Sequence, residues 1–173
     1  MLVDATGARS YVPETAGLRD RVIPFEEVLA CPRASCEFHP RDGRKPRKLE
    51  GERVIVWGDH YAAADTAAHL ASIGKEVSIV TDRKEFGSSV EVIHMYVLRK
   101  RFKQTDAEAL SSEPFKHPVT IHESCIIVDI REGEAVLLDR NFERKTIPCD
   151  HIVTCWTRPA GGPIEQAKAA GIP

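Results

Sequence analysis

Residues 53–67 have the most chemically informative spacing in the chain, because they read as a strand, a turn and the start of a helix. A dinucleotide-binding turn uses three glycines: one for the tight turn, one for the approach of a pyrophosphate, and one for close packing of the helix on the strand. These positions hold Gly58, His60 and Ala63. Ala63 is harmless because a methyl group barely disturbs the helix contact, whereas the His60 imidazole stands where a pyrophosphate needs bare backbone. The sequence predicts a surviving fold without tight dinucleotide binding.

The start of this helix still offers amide donors and the positive end of the helix dipole to an anion. The candidate cofactor-binding residues here are therefore Gly58, Asp59, His60, Tyr61 and Ala63. The His60 ring could hydrogen-bond a phosphate directly and so replace the lost backbone cradle. We favour the other interpretation, in which the turn no longer binds a dinucleotide.

A second group of candidates follows the next predicted strand. In dinucleotide-binding folds a ribose-binding acid stands about 20 residues after the glycine turn. Thr81 occupies that place and Asp82 comes next, where a loop could turn its carboxylate toward a ribose. Arg83 and Lys84 could hold a 2′-phosphate, so a surviving cofactor would be NADP(H) rather than NAD, or ADP bound weakly. A solvated basic loop is the interpretation that we favour.

Two tryptophans end the predicted first and last strands of the parallel sheet. Trp57 and Trp156 would lie at its crest, the edge where the carboxyl ends of parallel strands meet and where such sheets bind ligands. They could stack on an adenine or fill the crevice that a lost cofactor left, and we favour filling. Thr157 follows Trp156 and completes the candidate cofactor-binding residues.

The cysteines suggest neither a disulfide framework nor a redox pair. The chain has five, an odd number without regular spacing, which suits a reducing compartment. Cys31, Cys36 and His39 have the residue types of a zinc site, but a fourth ligand such as His117 or His122 would have to come from elsewhere. We favour a reduced loop with no metal, and no catalytic residue is predicted. The remaining cysteines are expected to be small core residues: Cys125, Cys149 and Cys155.

Composition indicates an ordinary globular protein. The 173 residues are enough for one well-cored domain, and the chain is 42% apolar and 29% charged with a formal net charge of −2. This charge does not indicate a nucleic-acid partner. No apolar stretch approaches the roughly 20 residues that cross a membrane, and no secretion signal is evident. We therefore expect a cytoplasmic protein without membrane or nucleic-acid partners.

Alternating strand and helix patterns predict the α/β class: a Rossmann-like three-layer domain with a central parallel sheet and a small antiparallel β-meander. Parallel strands are predicted at 53–57, 76–81, 119–124 and 151–155, and the meander at 125–130, 134–139 and 143–147. Helices are predicted at 61–73, 90–103 and 163–170. In the second of these, Val90, Ile93, Val97 and Leu98 are expected on one side.

The chain divides into four segments by composition. Residues 1–30 read as part of another domain, with a strand at 2–8 and an extended connection and short helix at 12–30. Residues 31–50 hold six Lys or Arg and three Pro, and read as a basic linker. Residues 51–160 form the nucleotide-binding-type domain, and 161–173 carry the last helix. Because residues 1–50 would then be an exposed edge, we expect them to be mobile or to pair with a second copy in a homodimer.

With these elements in order, the chain resembles the C-terminal half of flavoproteins in the trimethylamine dehydrogenase and 2,4-dienoyl-CoA reductase family. Val3-Asp-Ala-Thr-Gly-Ala-Arg9 is similar to the turn where the family's flavin-type domain leads into an inserted nicotinamide-nucleotide-type domain. Residues 13–30 resemble the family's connection, with its proline, glycine and Glu-Glu-Val-Leu run. Residues 53–157 resemble the inserted domain, Thr157-Arg-Pro159 the segment after it, and 166–173 the helix that leads to the closing flavin motif.

The resemblance implies that the flavin mononucleotide, the 4Fe-4S cluster and the barrel that carries them lie outside this chain, so this chain alone would not catalyse the family reaction. A dienoyl-CoA reductase takes hydride from a nicotinamide cofactor and should keep its glycines. An amine dehydrogenase passes its electrons to an electron-transfer flavoprotein, so it can lose the glycines of this turn. Gly58-Asp59-His60 favours the second branch, as a structural or weak nucleotide-binding module beside the flavin and barrel domains. A working NAD(P)H-binding domain of a reductase and a free-standing interaction protein remain the alternatives.

Overall fold

A computed structural model of the protein describes residues 7–29, 49, 51–103, 114–159 and 162–171. The strands are β1 (Ala8–Ser10), β2 (Ala16–Gly17), β3 (Val22–Pro24), β4 (Arg53–Trp57), β5 (Glu76–Val80), β6 (Thr120–His122), β7 (Cys125–Arg131), β8 (Glu134–Asp139), β9 (Arg144–Pro148), β10 (His151–Thr154) and β11 (Thr157–Pro159). The helices are α1 (Phe25–Leu29), α2 (Tyr61–Ser72), α3 (Val92–Lys103) and α4 (Pro163–Ala169), with a 3₁₀ turn at Arg19–Arg21.

The centre of the fold is a parallel sheet with the described strand order β3-β10-β4-β5-β6. The predicted strands at 53–57, 76–81, 119–124 and 151–155 all lie in it, one to three residues shorter in three cases. In the middle of the sheet, β4 pairs in register with β10 on one side and β5 on the other. After β4 the chain continues to β5 on one side, and it later returns to β10 on the other side. A topological switch point therefore lies beside β4.

Both faces of this sheet are covered, as the alternation of side chains along β4 shows. Successive residues of a strand point to opposite faces. Val54 and Val56 belong to the core that α1, α2 and α3 form on one face. Ile55 and Trp57 belong to the core that the antiparallel strands form on the other face. The predicted Rossmann-like three-layer α/β class is therefore confirmed.

The second face is covered by the sheet β2-β7-β8-β9. Strands β7, β8 and β9 are the predicted antiparallel meander, and the ladder between β7 and β8 shifts between Ile127 and Asp129. Gly133 turns the first hairpin at φ +75°, a conformation that favours glycine. The sequence did not indicate β2, which adds to the edge of the meander parallel to β7.

The prediction that 12–30 is an extended connection and short helix was incomplete. Val22–Pro24 forms β3 and pairs in parallel with β10, so part of this segment lies at the edge of the central sheet. A run of three residues that ends in proline gives too short a pattern to be read as a strand, although an edge position tolerates the missing amide of Pro24. The short helix was confirmed as α1.

The prediction that Val90, Ile93, Val97 and Leu98 lie on one side of the 90–103 helix was correct only in part, because Val90 and Leu98 are buried and Ile93 is not. The helix begins at Val92, and its buried residues are Met95, Leu98 and Phe102, while Ile93 is 72% exposed. Val90 is buried but precedes the helix, and Ile93, in the first turn, faces away from the core. The described helices, this one included, lack the length and apolar content that a membrane span requires.

Two of the predicted features lie outside the described residues. The predicted strand at 2–8 falls there except for its last two residues, and Ala8 in fact begins β1, which pairs antiparallel with β11. The basic linker at 31–50 also falls there, apart from Leu49, which is buried in the helix-side core.

One carboxylate, that of Asp150, joins the amino ends of β4 and β10. Asp150 Oδ2 accepts hydrogen bonds from the amides of Glu52 and Arg53, each at 2.9 Å, and Oδ1 accepts one from the Arg53 guanidinium at 2.6 Å. The side-chain hydrogen bond from Arg53, together with the backbone bonds, lowers the pKa of Asp150 to about 2. The ionised carboxylate therefore holds the two central strands in register at their amino ends.

We expect Asp150→Asn to lower the free energy of unfolding at pH 7 by about 1 kcal/mol, because a solvent-screened but multiply bonded charge is lost. The native pKa lies below the unfolded value, so the charge stabilises the fold above about pH 4 and this contribution is lost as the pH falls toward 2. Urea unfolding at several pH values should show the difference between wild type and variant shrinking over that range. The exposed Glu132→Gln should show no measurable difference. A difference independent of pH would contradict the assignment.

Candidate functional site

The turn between β4 and α2 begins with a glycine that is required by close packing. The Gly58 amide donates to the Val80 carbonyl at 3.0 Å, and a Cβ at this position would lie 2.8 Å from the Cβ of Cys155. No side chain fits in that space without a shift of the backbone. Gly58 is not in the left-handed region of φ, so its role is to let β4 and the end of β10 approach each other.

The next residue, Asp59, turns its carboxylate into the protein. It is 4% exposed, and its Oδ1 accepts hydrogen bonds from the Gly87 amide at 2.9 Å and from the Thr81 hydroxyl at 3.4 Å. Burial raises the pKa of Asp59, and the bond from Gly87 opposes that shift. Asp59 thus ties the loop after β5 to the turn after β4 and places a buried acid in the dinucleotide turn.

His60 is the N-cap of α2. Its Nδ1 accepts a hydrogen bond from the Ala62 amide at 3.2 Å, so the ring satisfies one of the donors that a bound phosphate would otherwise take. The Nε2 atom is buried and has no hydrogen-bond partner in the described part of the chain. Ala63 is fully buried and packs in the helix-side core, as the third position of such a turn does.

Tyr61 lies outside this turn and links two helices. It is 45% exposed, and its hydroxyl accepts a hydrogen bond from the Glu91 amide at 2.9 Å. Its ring centroid lies 5.7 Å from that of His94 in α3. The side chain therefore serves contacts between the first turns of α2 and α3.

The residues after β5 divide between internal and surface roles. Thr81 is fully buried, and its hydroxyl accepts from the Arg83 amide at 3.1 Å while donating to Asp59. Asp82 and Arg83 are exposed and form a loose ion pair at 3.6 Å. Arg83 is thus available at the surface, but its nearest anion is a neighbouring carboxylate.

A cleft of ≈ 190 Å³ opens at the crest beside β4. It lies at the switch point, because its lining includes residues at or just after the ends of β4, β5 and β10. The chain segment before β2 lies against it: the Tyr11 amide donates to the Trp156 carbonyl at 3.0 Å, and the Thr154 hydroxyl donates to the Tyr11 carbonyl at 2.9 Å. The described lining residues are Tyr11, Pro13, Glu14, Trp57, Asp82, Ile126, Ile127 and Trp156.

The candidates therefore separate into two places. Trp57, Asp82 and Trp156 line the crest cleft together. The turn residues described above do not line it, nor does Arg83, and Thr157 pairs with Ser10 in the β1–β11 ladder. Sequence reasoning missed the rest of the lining, because those residues come from distant segments, and only Tyr11 and Glu14 are of a type, aromatic or acidic, that could have hinted at a role.

Thiol and metal chemistry find little support in the described residues. Burial raises the pKa of Cys149 to about 11 and that of Cys155 to about 12, so neither is a thiolate at neutral pH. Their expected core positions are confirmed, whereas Cys125 is only partly buried. The proposed zinc ligands Cys31, Cys36 and His39 lie outside the described residues. Within those residues no group of His, Cys, Asp or Glu could hold a metal ion.

The parallel sheet with helices on one face, a meander on the other and a cleft at the switch point defines a Rossmann-like α/β domain. No family model and no curated protein matches the chain. Solved structures with the same fold include 2-naphthoyl-CoA reductase (17% identity, 98% of this chain, TM-score 0.64) and histamine dehydrogenase from Rhizobium sp. 4-9 (18%, 96%, 0.63). A HOCl-induced flavoprotein disulfide reductase from Escherichia coli is also similar (15%, 90%, 0.56).

These proteins are oxidoreductases by name, and one of them is named as a flavoprotein. At these identities the likeness shows the fold alone. The chain spans 21%, 24% and 29% of the lengths of the three. Their activities are therefore attributed to this chain only as a proposal.

We expect Gly58→Ala to destabilise the fold by about 1–3 kcal/mol in urea unfolding, because the new Cβ would overlap Cys155 Cβ. The cost should fall when Cys155→Gly removes that atom, which a double-mutant cycle measures. Gly133→Ala is the matched control: nothing lies within 4 Å of its added Cβ, so only the strain of its positive φ remains. Additive effects of the Gly58 and Cys155 variants would contradict the close-packing role.

We expect Asp59→Asn to be at least as stable as wild type at pH 7, because it keeps an acceptor for Gly87 and removes a buried charge. The native pKa is raised, so wild type loses stability as the pH rises from about 4 through that pKa while the variant does not. Thermal unfolding between pH 4 and 7 should show the variant's advantage growing with pH. Asp59→Ala, which leaves the Gly87 amide unpaired, should be less stable at every pH, and equal behaviour of the two variants would overturn this role.

Proposed function

We propose that this chain is a nucleotide-binding-type domain of a flavin-dependent oxidoreductase that resembles amine dehydrogenases, and that its dinucleotide turn serves structure rather than cofactor binding. The observation that carries the proposal is the use that the turn makes of its own polar groups. His60 caps α2 through its ring, and Asp59 is buried beneath the Gly87 loop. A bound diphosphate would have to displace the His60 ring from the helix start and lie close to the Asp59 carboxylate.

Charge at the turn supports the same proposal. Phosphate sites at helix starts depend on free amides and a favourable dipole. Here the Ala62 amide already donates to the His60 ring, and the buried Asp59 carboxylate adds a negative charge beside the helix start. The basic Arg83, which could select NADP(H), is paired with Asp82 instead. We therefore expect no tight NAD(P)H binding, and ADP at most weakly.

The flavin, the iron-sulfur cluster and the substrate site would belong to other parts of the parent protein in this proposal. Support comes from the fold shared with 2-naphthoyl-CoA reductase and histamine dehydrogenase over nearly all of this chain. The remaining flavin and barrel domains would be the direct partners of this chain, and an electron-transfer flavoprotein would be a partner of the whole enzyme. The domain would contribute packing and shape to that assembly.

We expect calorimetric titration of the wild-type chain to give no saturable heat with NADPH or NADH at micromolar concentration. His60→Gly restores bare backbone at the second turn position and should raise the affinity for NADPH at least tenfold. His60→Ser is the matched control, because serine keeps an N-cap acceptor but removes the imidazole. If the NADPH affinity rises with glycine and not with serine, then a side chain at position 60, and not the imidazole alone, blocks the approach of the cofactor.

Micromolar binding of NADPH by the wild type would contradict the proposal and favour a working NAD(P)H-binding domain of a reductase. Unchanged NADPH affinity in His60→Gly would show that His60 is not the obstacle. Circular dichroism of each variant should first establish that α2 and the sheet are intact.

A further inference from the structure

Helix α3 carries apolar side chains on its outer surface as well as on the side that faces the core. Val92 is 79% exposed, Ile93 72% and Tyr96 59%. Tyr61 lies against the first turn of α3 and is 45% exposed. These are four of the eight large apolar side chains that are exposed in the described part of the chain. Exposed apolar residues that cluster in this way are typical of an interaction surface.

The spacing of these residues is that of a helix that packs on another helix. Ile93, Tyr96, Val97 and Lys100 follow one another at positions i, i+3, i+4 and i+7, so they lie on one side of α3. We call this side, together with Val92, the outer face of α3. The buried residues of α3 lie on the opposite side. An apolar stripe with this spacing is the seam through which two helices contact each other.

Charge is distributed unevenly along the same helix. The amino end is acidic, because the exposed carboxylates of Glu91 and Asp65 lie beside the first turn. The last turn is basic, with Lys100, Arg101 and Lys103. These signs also suit the dipole of α3, so by themselves they do not indicate a partner. Next to an exposed apolar face, they indicate a partner that is apolar in the middle and has its charges in the reverse order.

A second copy of this chain has that surface. If two α3 helices pack antiparallel about a two-fold axis near Tyr96, the basic last turn of each lies against the acidic amino end of the other. Parallel helices would bring like charges together, which is unfavourable. An interface about a two-fold axis uses the same patch on both subunits, so the patch must be complementary to itself. The outer face of α3 meets this condition.

We propose that the chain associates with a second copy through the outer faces of two antiparallel α3 helices. Ile93 and Val97 of each helix pack beside Tyr96 of the other, and the charged ends form the two rims of the contact. This surface is separate from residues 1–50, where the sequence led us to expect pairing, and it does not depend on the function proposed above.

The length of α3 limits the strength of this dimer. Its 12 residues span about 18 Å at 1.5 Å per residue. A contact between two such helices is smaller than a standard stable interface, which buries about 800 Å² on each partner. We therefore expect a weak and reversible dimer that forms at micromolar concentrations of the chain and above.

Sedimentation equilibrium from low micromolar to several hundred micromolar chain tests the association. We expect the weight-average mass of the full chain to rise from that of one chain toward that of two. Ile93→Lys places a charge in the apolar face and should raise the dissociation constant at least tenfold. Phe142→Lys is the matched control, because it makes the same change at a side chain that is 82% exposed in the meander, and it should associate as wild type does.

Two cysteine variants test the orientation of the helices. In the antiparallel dimer position 96 faces its own counterpart, whereas position 92 lies about 12 Å along the helix from its counterpart. A disulfide needs Cα atoms within about 7 Å. With oxidised glutathione as the oxidant, Tyr96→Cys should therefore give a disulfide-linked dimer and Val92→Cys should not. The wild-type chain is the control for the native cysteines.

Salt provides a further test of the orientation. Salt screens the attraction between the opposite charges at the two rims, so the dimer should weaken as the NaCl concentration rises. Association that is unchanged or stronger at high salt would contradict the antiparallel arrangement, as would equal linking at positions 92 and 96.

A monomer at every concentration would overturn the proposal, and so would a dimer that Ile93→Lys leaves intact. Circular dichroism should establish that Ile93→Lys folds; if it does not, the linking of Tyr96→Cys decides. None of these results bears on NADPH, whose micromolar binding would instead overturn the proposed function.

Discussion

The whole crest depends on the close side-by-side packing of β4 and β10 in the middle of the sheet. Asp150 joins the two strands where they begin, through bonds to the backbone and guanidinium of Arg53. Where they end, Gly58 lies so close to Cys155 that no side chain fits between them. This packing brings Trp57 and Trp156 to the same edge of the sheet, where both line the cleft.

Under the proposed function, the same geometry explains how a dinucleotide fold can be retained without its ligand. In a working turn, phosphate oxygens would accept from the amides at the helix start and join the neighbouring loops. Here Asp59 joins the loop after β5 to the turn, and His60 caps the helix. Protein groups thus make bonds of the kind that a cofactor would make at such a turn. The cost of burying Asp59 is visible in its raised pKa.

Sequence patterns predicted the elements with long or regular signals and failed where tertiary contacts decide. The apolar run of β4, the amphipathic α2 and the hairpin turns of the meander were predicted close to their observed bounds. The three-residue strand β3 was missed, because only its pairing with β10 makes it a strand. For α3 the prediction failed at Ile93, which is exposed, whereas Val90 and Leu98 are buried. Short elements and helix rotation depend on neighbours that a local window does not contain.

By itself, the sequence determined the class of the domain and the identity of the residues in its turn. Alternating periodicities of strands and helices require an α/β sheet, and His60 in place of glycine follows directly from the chain. Only the tertiary structure decided what those residues do: that Asp59 turns inward, that His60 caps its own helix, and that Tyr11 and Glu14 join two tryptophans around a cleft. The physical reason is that burial and hydrogen-bond pairing are properties of segments brought together by folding. Such contacts leave no trace in local spacing.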